Sequence, residues 1–88
     1  MDSKEFYKKI LDIYKWKQVI VAIEELSELQ KELCKSLRGD TNYDNITEEI
    51  ADVEIMLEQM KIYFAINENE VEGMKKLKIK RTKERLGL

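Results

Sequence analysis

The chain has 88 residues, 39% of them Asp, Glu, Lys or Arg, yet its 16 basic and 18 acidic residues leave a net charge of only −2. That length supports one domain with a modest core, and that balance argues against binding nucleic acid through bulk positive charge. With no histidine and a single cysteine, Cys34, His-dependent nucleophile arrangements are excluded, zinc is disfavoured and no internal disulfide can form.

There is no proline, and Lys, Glu, Leu and Ile dominate, so the sequence predicts an all-α chain. A first helix is expected from Ser3, capped by Asp2 or Ser3, to about Tyr14; the pattern leaves open whether it continues through Lys15-Trp16-Lys17. A second carries Val19, Ala22, Ile23, Leu26, Leu29, Leu33 and Leu37 at helical spacing and should end near Arg38, with Gly39 supplying the left-handed residue. Gly39 to Asp44 reads as a loop. Asn45 then fits an N-cap with Glu48 as its capping-box partner. The third helix, about Ile46 to Ile66, has one apolar stripe of Ile46, Ile50, Val53, Leu57, Met60 and Phe64 and a second, on the opposite side, of Ala51, Ile55, Ile62 and Ile66. Such a helix must be buried on two sides, by another copy of the chain or by the first or last helix of its own. Asn67 can cap a fourth helix over Glu68 to Leu86, with Gly73 as its weak point. No stretch approaches the ~20 apolar residues of a membrane span. The N-terminal Met-Asp-Ser-Lys-Glu lacks a signal-peptide core. A cytoplasmic protein without membrane contact is the expectation.

The chemistry concentrates in two acidic clusters. Glu24-Glu25-Leu26-Ser27-Glu28 spells E-E-x-x-E, and about twenty residues later Glu49-Ile50-Ala51-Asp52 spells E-x-x-D. Carboxylates three apart share a helix face, and each pair lies to the same angular side of its helix's apolar stripe. Antiparallel packing of the second and third helices would bring Glu25 and Glu28 to the border of the seam, opposite Glu49 and Asp52. Crowded carboxylates resist ionisation, so four of them together call for a cation. The chain contains neither G-x-x-x-x-G-K-[ST] nor G-x-G-x-x-G, and only oxygen ligands are abundant, which favours Mg²⁺ or Mn²⁺. Spacing alone leaves the plainer alternative open, that these acids solvate two helices. Glu32, Glu48, Glu54 and Glu58 read as ordinary surface acids.

The run Ala22-Ile-Glu-Glu-Leu-Ser-Glu-Leu, the later Glu48-Glu-Ile-Ala-Asp-Val, and Gln18 upstream together resemble the MazG-like all-α nucleotide pyrophosphohydrolases. The resemblance covers about Trp16 to Phe64 and is to the short single-domain type found in bacteria and their phages. It implies a helical bundle completed by dimerisation, sometimes as a dimer of dimers. It further implies hydrolysis of a (deoxy)nucleoside triphosphate between its α and β phosphates, with Glu25, Glu28, Glu49 and Asp52 as Mg²⁺ ligands. Glu24 becomes an acid just outside the ligand set or an auxiliary base, and Glu25 the choice for activating water. Lys75, Lys78 and Arg81 share a helical face and could meet the departing pyrophosphate, or simply form a solubilising tail. Trp16 and Gln18 could meet the base by stacking and hydrogen bonding. Two other readings compete: a non-catalytic helical interaction module, and a nucleic-acid-binding regulator using Lys75 to Arg85. The acidic middle of the chain ranks the regulator last.

Overall fold

The computed structural model describes Met1 to Leu88 as four α-helices without strands: α1 (Ser3–Tyr14), α2 (Lys17–Leu37), α3 (Tyr43–Tyr63) and α4 (Glu68–Leu86). No helix is long and apolar enough to cross a membrane. The α1–α2 question is settled by the backbone. Lys15 has φ 53° and ψ −131°, which breaks the helix. Asp2 accepts a 2.8 Å hydrogen bond from the Glu5 N–H and caps α1.

Helix ends follow the left-handed cap closely. After α2, Gly39 has φ +95°, its N–H donates to Ser36 O, and the Asp40 N–H reaches back to Lys35 O; the two bonds satisfy carbonyls the helix leaves open. The same pair of bonds closes α3, from the Ala65 N–H to Ile62 O and from the Ile66 N–H to Lys61 O at 2.8 Å. Here the left-handed residue is Ala65, with φ 55°. Ala65 adopts that conformation despite the cost of its Cβ, and the turn ends α3 at Tyr63, before the Ile66 expected from periodicity. Asn67 Oδ1 accepts from the Asn69 N–H at 2.7 Å and starts α4 where the sequence placed it.

The start of α3 departs from expectation. It begins at Tyr43, and its N-cap is Asn42 in place of Asn45, without a side-chain capping bond. The Asn42 amide is used elsewhere: Nδ2 donates to Glu32 O at 2.9 Å and to Glu32 Oε2 at 3.2 Å, tying the loop back onto α2.

α2 and α3 form the principal contact as an antiparallel hairpin, with α1 against α3 and, more lightly, α2. The face they bury corrects the stripe expectation. The buried positions are Gln18, Ala22 and Glu32 on α2 and Val53, Met56 and Gln59 on α3. The seam is therefore rotated from the apolar stripes towards the acids. It leaves Ile23, Leu26 and Leu33 on α2, and Ile50 and Leu57 on α3 with Phe64 just past its end, between 43% and 58% exposed. Because the helices are antiparallel and the rotation has the same sense on each, these two rows emerge on one side of the hairpin. The second α3 stripe is partly met by α1, whose Tyr7 lines a groove with Ile62 and Ile66. α4 buries no residue; Lys61 Nζ holds its first turn through Glu68 Oε2 at 2.6 Å while also binding Glu58 Oε1 at 2.8 Å.

The protomer is open. Its radius of gyration is 16.1 Å, against about 12 Å for a compact chain of this length. Its accessible surface is 7151 Å², against roughly 5,400 Å² for a monomer of this mass. Only 7 of 88 residues are buried, too few for an independent core.

Ala65→Gly should raise stability by up to about 1 kcal/mol, relief of the left-handed Cβ being partly offset by added freedom in the unfolded chain. Thermal unfolding at fixed protein concentration checks this, with Ala65→Val expected to lower the midpoint.

Candidate metal centre

The antiparallel seam brings α2 and α3 together so that one carboxylate oxygen each of Glu25, Glu49 and Asp52 lies within 4.8 Å of the other two. Helical spacing supplies Glu49 and Asp52 from one face of α3, and Glu25 faces them from α2. All three are half-buried. They lie within the seam, inward of the border position expected from the apolar stripes.

Burial raises the carboxyl pKa of Glu25, and the adjacent carboxyl of Asp52 raises it further, with Glu28 and Glu24 adding to the effect. Glu49 is raised by burial and by the charges of Glu25, Asp52, Glu28 and Glu48. The neighbours named in both cases are all acidic. Moreover, Glu49 Oε2 is buried and has no hydrogen-bond partner. A buried acceptor without a donor is costly, and this one belongs to a group of clustered carboxylates. An all-oxygen donor set of this kind fits a hard divalent cation such as Mg²⁺ or Mn²⁺.

The remaining residues singled out by the sequence are dispersed. Glu28 is exposed at the rim, outside the cluster of three but close enough to raise both Glu25 and Glu49. Glu24 is exposed beside it. Trp16 is exposed at the α1–α2 junction. Gln18, expected to meet a base, is buried in the seam, where its Nε2 donates to Gln59 Oε1 at 2.8 Å. Lys75 pairs with Glu72 on its own helix at 3.1 Å and lines a groove with Ala51, Ile55 and Leu57. Lys78 and Arg81 are exposed on α4. Two grooves lie along α1, α3 and α4, and neither is lined by Glu25, Glu49 or Asp52. The carboxylate geometry is the better guide to chemistry here, because a metal site needs converging donors and not a large cavity.

Glu32, read from sequence as a surface acid, is buried. Its carboxylate meets Asn42 Nδ2 at 3.2 Å and Lys35 Nζ at 3.6 Å. Gln59 was not singled out at all, yet it is the most completely buried side chain, with 2% exposed. The available signal was spacing: Gln18, Glu25 and Glu32 are seven apart on α2, as are Asp52 and Gln59 on α3, a repeat that returns to one helix face.

No known protein family, curated protein or solved structure matches the chain.

The raised carboxyls set the direction of the pH response. Glu25 and Glu49 have folded-state pKa values above the ordinary 4.5, so their contribution to stability is fully present below that value and is lost as pH rises through the folded values. Metal-free protein should therefore melt lower at pH 7 than the remainder of the chain would dictate. Glu49→Gln should raise that metal-free midpoint, while Mn²⁺ or Mg²⁺ should raise the midpoint of the parent and not of the variant. Melting curves with chelator and with metal, run between pH 4 and about 7.5, check all three signs.

Proposed function

We propose that the chain is a Mg²⁺- or Mn²⁺-dependent hydrolase of (deoxy)nucleoside triphosphates, cleaving between the α and β phosphates to a monophosphate and pyrophosphate, of the MazG-like type. The observation that carries the reading is the convergence of Glu25, Glu49 and Asp52 within 4.8 Å, with Glu49 Oε2 buried and unpartnered. The order E-E-x-x-E then E-x-x-D supports it independently.

The roles follow from the chemistry of the residues. Glu25, Glu49 and Asp52 hold the cation between α2 and α3, and Glu28 extends the donor set from the rim. When bound, the cation supplies the positive charge that lets a polyphosphate approach an acidic seam, and it acidifies water. Glu25 is the proposed proton acceptor, because a carboxylate that holds the cation would lie within reach of the attacking water. Glu24, one residue away and exposed, is an acid beside the ligand set or an auxiliary base. Exposed Trp16 remains the candidate for stacking on the base. Lys75, Lys78 and Arg81 are candidates for the pyrophosphate.

The active form is proposed to be a homodimer or a homotetramer. Relative to a compact monomer, each protomer carries roughly 1,700 Å² of surplus surface, enough for the larger interfaces of permanent oligomers. The rows Ile23–Leu26–Leu33 and Ile50–Leu57–Phe64 supply its apolar part. The same rows are what favours the second reading, a non-catalytic oligomerisation module, in which the carboxylates would bind no metal.

Purified protein incubated with each common NTP and dNTP should release monophosphate and intact pyrophosphate with Mg²⁺ and not with chelator. Glu49→Gln should reduce turnover at least 100-fold while remaining folded. A folded protein inert to the whole panel, whose melting ignores divalent ions, would favour the interaction module. Leu26→Glu combined with Leu57→Glu should shift the sedimentation coefficient to that of a monomer.

A further inference from the structure

The carboxylate cluster is the middle of three polar layers spaced along α2, of which two cross to α3 and the third ties α2 to the loop before α3. One turn-pair towards the open end of the hairpin, Gln18 Nε2 donates to Gln59 Oε1 at 2.8 Å. Towards the loop, buried Glu32 receives Asn42 Nδ2 through both its backbone oxygen and its carboxylate. On α2 the three layers are set by Gln18, Glu25 and Glu32, at intervals of seven residues, so each outer layer lies about 10 Å along the axis from Glu25. Gln18 is 8% exposed, Glu32 6% and Gln59 2%. A chain with so few buried positions commits three of the seven to polar side chains.

Apolar residues at those positions would pack without a hydrogen-bonding requirement, and such replacements are often neutral or stabilising. What a polar layer adds is discrimination. If either helix slides by a turn, Gln18 and Gln59 lose each other and both amides are buried unpaired, a large penalty in a dry seam. An isolated polar pair in a helical seam fixes register in this way. Apolar rows, by contrast, tolerate a slide, because one leucine replaces another.

We infer that the Gln18–Gln59 pair is a positioning device: together with the Glu32–Asn42 layer it fixes the antiparallel register that sets Glu25 opposite Asp52 and Glu49. Neither glutamine touches the carboxylates. They act through the register of the two helices, as supporting hydrogen bonds do around ligands generally. Gln18 is thus a residue of the site's framework and not of its base-binding surface. In its bearing on metal binding the inference rests on the functional reading above; in its bearing on register it does not.

The test is the double variant Gln18→Leu with Gln59→Leu, compared with the parent by three measurements. Without metal, it should melt at least as high as the parent. Mn²⁺ titration should show affinity weakened at least tenfold. Spin labels at Lys17→Cys and Glu54→Cys, in a Cys34→Ser background diluted with unlabelled protein, should give a broadened or displaced distance distribution. Unchanged Mn²⁺ affinity with an unchanged distance would overturn the inference. An unfolded double variant would also overturn it, since the pair would then be a requirement of folding and not of register. If the parent itself fails to bind Mn²⁺, the functional reading falls, while the distance measurement still decides whether the pair sets register.

Discussion

Three carboxyl groups meeting between two antiparallel helices impose a constraint on everything around them. Glu25, Glu49 and Asp52 approach within 4.8 Å, and the neighbours that shift Glu25 and Glu49 are themselves acidic. Like charges at this separation repel more strongly in a partly dry seam than in water. The chain accepts that cost in the middle of its best-packed contact, where an apolar pair would have been the stabilising choice. Under the proposed function, a divalent cation would turn the same arrangement from a liability into a crosslink between α2 and α3.

The seam's polarity also explains the openness of the protomer. Because α2 and α3 turn their acids and glutamines towards each other, their strongest apolar rows are displaced sideways and stay half-exposed. α4 is attached through Lys61 and Glu68 and contributes no buried residue. Under the proposed association, these rows are the surface that a second copy would cover.

Much of the backbone was legible in the sequence. Gly39 marked the end of α2 through its left-handed conformation, and Asn67 marked the start of α4 through its side-chain oxygen. Ala65 was not legible, because the same cap geometry was built on a residue with no glycine signal. Asn42 was not legible as the N-cap of α3, because Asn45 with Glu48 carries the local capping pattern while Asn42 is held by bonds to Glu32, ten positions back. The meeting of the two acidic clusters followed from helical spacing and an antiparallel hairpin. The face through which the hairpin packs did not. Hydrophobic periodicity marks where apolar side chains lie on a helix and not which face meets a particular neighbour, and here the apolar stripes and the seam differ. The polar ladder Gln18–Glu25–Glu32 carried the seam's true position in its seven-residue spacing, a signal masked by the abundance of acids.

The central claim is that Glu25, Glu49 and Asp52 form one divalent-cation site between α2 and α3. Anomalous diffraction at the manganese edge from crystals grown with Mn²⁺ tests it most directly. The account predicts a peak bounded by those three carboxylates, within ligand distance of Glu49 Oε2. A peak confined to other surface acids, or a Mn²⁺-saturated crystal in which the three carboxylates bind only water and protein donors, would contradict it.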